Sequence, residues 1–435
     1  MPGGRTGGII SHMNNLRYIA QAEGRSRAWA IYLICICCYM LSMFYRVSVT
    51  VISPQLAEDL RLSVSQLSDL SAAFFYAFAA AQIPLGLLLD RWGTRRIMTL
   101  FNLAAVAGAL TFALAQGGAM ATVGRVLLGL GMSGNMIGAM MLIVAWFPPR
   151  RFATLTGAIV GVSTAGQFMA ATPLVYISQA MGWRGAFIAV AALNALVIAV
   201  FYWVVRDTPP GVELPRSANE NPFKGLGQLF RHHYYWIISL STFFRYGCLM
   251  ALQGLWAGPY LMNGLGLSQI QAGNILLFIT IGYMIGLPLW GRISDEVLGT
   301  RKWVVLPALF IWALLILSLG LMQGMPVWVL CALFLGLGLM SAPGQVMYPH
   351  IKELLPDHLA ARALTGINLY TMLGAAGLMQ IAGFLVEGDP SSMHGIDGYW
   401  PVWLFMAGGL CLAGVLYCFI PDSKAMRDTQ AVTEG

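Results

Sequence analysis

The sequence predicts an all-α membrane protein of twelve transmembrane helices arranged as two pseudo-symmetric six-helix bundles. Three observations predict it. Of the 435 residues 58% are apolar and only 10% charged, too little polar surface to cover a water-soluble globule of this size. Apolar runs recur at about twenty residues, the length that ~30 Å of hydrocarbon requires of a helix. A charged hinge, Gly-Leu-Leu-Leu-Asp-Arg-Trp-Gly-Thr-Arg-Arg from Gly86 to Arg96, returns in weaker form from Gly291: Asp295 follows Gly291 at the spacing of Asp90 from Gly86, and the basic pairs Arg95-Arg96 and Arg301-Lys302 stand behind.

Taken in order, residues 1–27 are polar and Gly-rich, carry Arg5, Arg17, Arg25 and Arg27, and have no apolar core, so they are expected to form a cytoplasmic tail rather than a signal peptide or span. A first bundle, 28–205, is expected to hold spans at 28–52, 68–89, 96–115, 119–147, 152–178 and 185–205. Residues 206–234, with Pro209-Pro210-Gly211, mixed charge and His232-His233, have the composition of a solvated linker. A second bundle, 235–420, repeats the pattern at 235–262, 268–291, 302–322, 326–349, 361–386 and 399–420, and 421–435 form a second cytoplasmic tail.

The basic residues orient the chain. Of 25 Lys and Arg, twenty fall in the termini, the even-to-odd loops and the linker, whereas the opposite loops hold only Arg61 and Arg184. That bias places both termini and the linker in the cytoplasm and makes the chain a multi-pass protein of the plasma membrane, expected to be a bacterial inner membrane. It also explains the net charge of +7 by topology, with the lipid bilayer and no nucleic acid as partner. The seven cysteines lie in apolar runs without metal-ligand spacing, so no metal is expected. Neither a phosphate-cradling loop nor a nucleophile elbow occurs, so the chain is expected to be no enzyme, to use no cofactor and to have no ATP motor.

Further echoes support a duplication. Ala153-Thr-Leu-Thr-Gly157 opens the fifth span as Arg362-Ala-Leu-Thr-Gly366 opens the eleventh, and Gly129-Leu-Gly131 in the fourth matches Gly336-Leu-Gly338 in the tenth. Paired six-helix halves with a site between them are the plan of many secondary transporters.

On these residues the chain, from about 28 to 420, resembles the major facilitator superfamily, with some resemblance to its organophosphate and organic anion branch. The hinge matches the loop signature of that superfamily between the second and third helices, Arg125 with Gly129 and Gly131 looks like its fourth-helix signature, and Gly182-Trp183-Arg184 and Arg206-Asp207-Thr208-Pro209 are also familiar from it. The resemblance implies that Gly86, Asp90, Arg91, Gly93, Arg95 and Arg96, with Gly291, Asp295, Arg301 and Lys302, latch the cytoplasmic side when the protein opens outward. Physically, Gly86 and Gly93 permit close approach and a tight turn, and Asp90 and the arginines can meet helix ends and carboxylates.

The cargo is argued from charges inside the membrane, which persist only with a use or a partner. Arg46 in the first helix and Arg245 in the seventh, the equivalent helix of the other half, are candidates to line the substrate path. The anion transporters of the superfamily carry an arginine on each of these helices, and Phe44-Tyr45-Arg46 and Arg245-Tyr246-Gly247 resemble that pattern. Arg245 stands fourteen residues before Pro259 and Arg46 eight before Pro54, which offsets Arg245 toward the cytoplasm by about six residues, or ~9 Å. Arg125 is a coupling or structural residue. Among eighteen carboxylates only Asp69 falls inside a span, so it is the single embedded coupling candidate, with a helix-terminal charge near Ser68 as its plainer reading. A cavity with fixed positive charge favours an anion, which guanidinium can grip bidentately.

Helix phase adds neighbours: Tyr39 and Ser42 share the face of Arg46, Gln253 and Trp256 that of Arg245. Asn135, Gln167 and Gln345 are mid-helix amides that can meet a solute or serve as polar glue between helices. The fifth helix departs from the drug-antiporter signature, and the Gly-rich nitrate signature is missing. The sequence thus predicts a monomeric secondary active transporter moving a small anionic organic solute, carrying carboxylate or phosphate, by alternating access. The alternatives are a proton-coupled efflux pump for apolar or zwitterionic compounds and a non-transporting receptor or scaffold.

Overall fold

The computed structural model describes residues 6–148, 151–209, 226–387 and 395–422, with side chains from residue 26 onward except a few, Asp90 among them. Twelve long helices follow one another among these residues. α1 runs Thr6–Val47, loosens at Ser48 and continues as Val49–Leu60; α2 is Val64–Trp92, α3 Thr94–Ala113 and α4 Gly118–Trp146. α5 covers 152–181, and Gly182, at φ 72°, turns the chain into α6, 183–204. After a single turn at Leu226–Leu229, α7 spans 233–264, α8 Gln269–Val297, α9 Lys302–Leu321, α10 Val327–Leu354, α11 Asp357–Glu387 and α12 Asp397–Tyr417.

Nine stretches of these are each long and apolar enough to cross a membrane. The interrupted α5 and α7, and α2 with polar residues at both ends, complete the twelve. The boundaries differ from the apolar runs at two places. Helical backbone begins at Thr6 and not near 28, because no proline interrupts the residues between Thr6 and Ser26; the apolar part, Ser26–Val47, is the span. α2 begins at Val64 because Ser63 and Gln66 form a reciprocal capping box. Ser268 and Gln271 cap α8 in the same way.

Within each half, close approach of backbone fixes the packing. A Cβ at Gly129 of α4 would overlap the Phe74 carbonyl of α2, and one at Gly338 of α10 would overlap the Ile279 carbonyl of α8. Between halves, α2 lies along α11, α8 meets the end of α5, and α1 faces α7.

Among the described residues, the hydrogen bonds that join the halves lie at the depth of Arg46 or farther from the hinges. Thr50 donates to the Gln253 carbonyl at 2.6 Å, Gln269 to the Val51 carbonyl at 2.8 Å, and Thr172 to Asn274 at 2.7 Å. On the α2–α11 seam Gln380 donates to Asp69 at 2.6 Å and accepts from Tyr76 at 3.0 Å. The halves are therefore zipped on the side opposite the two hinges.

Candidate functional site

Arg46 and Arg245 come together. Arg46, 5% exposed, donates through Nη1 to the Tyr246 hydroxyl at 2.9 Å and lies 4.8 Å over the Phe78 ring. Arg245, 1% exposed, donates through Nη1 to the Ser341 carbonyl at 3.3 Å, and its guanidinium is 5.5 Å from the ring of the same Tyr246. The offset expected along the helices is bridged by this phenol, which reaches from α7 to α1. A Cβ at Gly344 would overlap the Arg245 side chain, so the α10 backbone closes over it. Nε of Arg46 and Nε and Nη2 of Arg245 are buried without an acceptor.

Around them stand tyrosines from four helices. Tyr39 of α1, Tyr246 of α7, Tyr283 of α8 and Tyr348 of α10 lie within electrostatic range of one another and of one or both arginines. Gln345 joins the group, donating to the Tyr283 hydroxyl at 2.8 Å, and Tyr348 bonds Thr371 at 3.2 Å. Tyr246, Tyr283, Tyr348 and Phe78 were not among the expected site residues. A signal existed for two of them: Tyr348 follows Gln345 by three residues and so shares its face, and Tyr246 adjoins Arg245.

Gln253 and Gln167 face each other one layer farther from the hinges. Gln253 donates to Thr280 at 2.9 Å and, more weakly, to Gln167 at 3.5 Å; Gln167 reaches the Met43 sulfur at 3.7 Å. This amide pair spans the two halves.

Other expected residues are placed elsewhere. Asn135 is fully buried and bonds the Cys38 carbonyl at 3.0 Å and Asn102 at 2.7 Å, so its amide ties α4 to α1 and α3. Trp256 donates to the Met379 carbonyl at 3.2 Å and packs between α7 and α11. Ser42 donates to the Met132 carbonyl at 3.3 Å. Arg125 is fully buried; it donates to the Tyr45 carbonyl at 2.8 Å, just before α1 loosens, and lies 4.7 Å from the Phe74 ring. Asp69 is exposed on the α2–α11 seam, bonded to Gln380 and six residues beyond the cap at Ser63, so it is not a helix-terminal charge.

The hinges are braced inside their own halves. Gly93, at φ 82°, makes the turn between α2 and α3, a conformation glycine adopts without strain. The Asp207 carboxylate accepts the Arg95 backbone N–H at 2.7 Å, while the Arg95 side chain donates to the Tyr202 carbonyl at 2.9 Å and stacks 4.2 Å from its ring. In the second half Arg301 binds Asp295 and, at 3.1 Å, Glu353, and Lys302 donates to the Cys418 carbonyl at 2.7 Å. Partial burial lowers the Arg301 pKa, but its two carboxylates outweigh that and hold it above the usual arginine value. Arg91 and Arg96 are exposed, and nothing approaches Gly86 or Gly291 within 4 Å, so the close approach expected at Gly86 is not made here. The Asp90 side chain lies outside the described residues.

Comparison with known proteins follows the same lines. The chain matches the Major Facilitator Superfamily over residues 33–258 and again over 238–435. It is 22% identical over 413 residues to the uncharacterized transporter YybO of Bacillus subtilis, covering 88% of this chain and 91% of that one. A hexuronate transporter of Bacillus subtilis is 25% identical over 63% of this chain and 68% of its own. The nitrate/nitrite transporter NrtP of Nostoc punctiforme is 30% identical over a shorter stretch, 36% of this chain and 33% of its own. Among solved structures, a D-xylose-proton symporter shares the fold with a TM-score of 0.75 at 16% identity, covering 91% of this chain and 98% of that one. With twelve helices in paired halves and a family match that spans both, the chain belongs to the Major Facilitator Superfamily and is a multi-pass membrane transporter, not an enzyme.

Proposed function

We propose that the chain moves a small anionic organic solute, carrying carboxylate or phosphate, by alternating access, with Arg46 and Arg245 as the partners of its charge. The observation that carries this reading is that the buried, unpartnered guanidinium N–H groups of both arginines meet between the two halves, on either side of Tyr246, whereas the one on Arg125 lies within a single bundle. Such a donor left without an acceptor costs about 1–3 kcal/mol, and an oxyanion between the two halves would remove that cost. The names of two relatives, a hexuronate and a nitrate/nitrite transporter, also point to anions.

The seam supports an opening toward the hinges. The bonds between halves lie on the side away from the hinges, and the positive-inside bias assigns the hinges, both termini and the linker to the cytoplasm. The site then opens toward the cytoplasm, and the exposed hinge residues and the open faces at Gly86 and Gly291 meet across the halves when the protein turns outward. Asp69 stands on the exposed seam with Gln380, away from the arginines. Exchange of one anion for another, or a proton carried on the solute, fits this arrangement. We assign the protein to the plasma membrane as a monomer.

The test is counterflow in proteoliposomes with D-glucuronate, L-tartrate, succinate and glycerol 3-phosphate, against tetraphenylphosphonium. Saturable uptake of one or more of the four supports the reading. Uptake of the lipophilic cation alone sinks it in favour of an efflux pump, and neither transport nor binding of any compound favours a receptor or scaffold.

A further inference from the structure

We infer that Tyr246 is a positioning residue for the anion site: its phenol holds the Arg46 guanidinium, from the opposite half, in the orientation in which it meets the solute. The inference rests on the anion reading above.

Three observations carry it. The Tyr246 hydroxyl is the hydrogen-bond acceptor of Arg46, at 2.9 Å from Nη1, and the bond crosses from α7 to α1. The Tyr246 ring lies beside the other guanidinium, 5.5 Å from Arg245, so one side chain touches both charges. Tyr246 is itself buried, and its neighbours Gly247 and Arg245 are immobilised by backbone: a Cβ at Gly247 would overlap the Gly374 carbonyl of α11, and Gly344 closes on Arg245.

The chemistry follows from what each partner offers. A guanidinium over an aromatic face, here Phe78 at 4.8 Å, is held in position along the ring normal but is free to rotate about its long axis. A single directional bond from Nη1 to a fixed phenol removes that freedom and so fixes the direction in which the unpartnered Nε points. Arg46 and Arg245 then present donors from both halves to one oxyanion, and a solute that engages them is read by both bundles at once.

The experiment uses the full-length protein with the same four anions, D-glucuronate, L-tartrate, succinate and glycerol 3-phosphate. Binding is measured by calorimetry and counterflow by initial rates, with thermal unfolding as a check on folding. Tyr246→Phe keeps the ring beside Arg245 and deletes only the hydroxyl. Kd and KM for each anion bound by the unsubstituted protein are expected to rise about tenfold, the loss of one charge-assisted hydrogen bond, with maximal rate held within about twofold. In an Arg46→Met background, which has no donor for the phenol, the same change adds less than about twofold; in an Arg245→Lys background it adds its full effect. An unchanged KM, a fall in maximal rate alone, or full additivity with Arg46→Met overturns the inference while leaving the anion reading in place. Failure of the unsubstituted protein to bind any of the four anions overturns both.

Discussion

Asp207, three residues past the end of α6, accepts the backbone N–H of Arg95 in the first turn of α3 at 2.7 Å. The hinge is thus fastened to its own bundle through the positive end of a helix, where a carboxylate is favoured. The Asp207 carboxylate also occupies the space beside Gly93, the glycine that turns the chain at φ 82°. Asp207→Ala is expected to cost about 1 kcal/mol, the usual effect of losing a helix cap. Gly93→Ala is expected to cost more, about 1–3 kcal/mol, since it combines a strained backbone with a clash. Thermal unfolding of the detergent-purified protein checks both; a Gly93→Ala protein as stable as the parent would refute the packing.

Arg125 separates from the other two intramembrane arginines by its surroundings. Its bond to the Tyr45 carbonyl and its contact with Phe74 tie α4 to α1 and α2 within one bundle. Arg125→Leu is expected to destabilise the fold by about 1–3 kcal/mol, the penalty for an orphaned buried carbonyl. Arg46→Ala is expected to unfold near the parent temperature, and Arg245→Ala, whose bond to the Ser341 carbonyl is long at 3.3 Å, to lose no more than about 1 kcal/mol, while both lose anion binding by at least about tenfold, as a charged contact is lost. Melting curves with and without D-glucuronate, L-tartrate, succinate and glycerol 3-phosphate distinguish the two classes, and the prediction fails if Arg125→Leu is stable and defective only in binding.

Asn135 belongs with Arg125. Its amide bonds Asn102 of α3 and the Cys38 carbonyl of α1. Asn135→Leu is expected to cost about 1–3 kcal/mol by leaving those partners unsatisfied, and to change anion affinity by less than about twofold. A variant of normal stability with weakened binding would return Asn135 to the solute path.

The sequence carried the architecture well because it is written in long-range composition. Twelve apolar runs and a repeated hinge need no knowledge of contacts to be read. The reciprocal caps Ser63-Gln66 and Ser268-Gln271 were equally local, and they repeat at the offset of the hinges; serine followed at three residues by glutamine before an apolar run is a sequence-level sign of a helix start. The candidate site was legible in its charges and, in part, in Tyr39 and the mid-helix amides Gln167, Gln253 and Gln345. Arg46 and Arg245 stood out because charge is rare in a membrane span, whereas Tyr283 and Tyr348 are ordinary residues of apolar helices whose convergence depends on the packing of α8 and α10. Asn135 and Gln345 look alike as mid-helix amides. Each bonds helices within its own bundle, but Asn135 meets Asn102 and a backbone carbonyl whereas Gln345 meets the Tyr283 hydroxyl beside the arginines, a difference fixed by neighbours far apart in the chain.

Asp69 and Gln380 supply the last prediction. Their 2.6 Å bond joins α2 of one half to α11 of the other, Tyr76 adds a second bond to Gln380, and Ser68 is buried against Gly383 beside them. If this group holds the seam closed, Gln380→Ala removes both bonds at once and leaves the helices themselves intact. Exposed polar contacts of this kind are each worth about 1 kcal/mol, so the seam is expected to open severalfold more often without unfolding. A cysteine at Ser68 reports the opening: its alkylation by a membrane-impermeant maleimide is expected to run severalfold faster in the Gln380→Ala background. Asp69→Asn keeps an oxygen to accept from Gln380 and is expected to label at close to the parent rate and to retain anion counterflow. Equal labelling in all three backgrounds would show that the seam is closed by helix packing alone, and loss of proton-driven accumulation in Asp69→Asn with normal labelling and counterflow would make Asp69 a coupling residue after all.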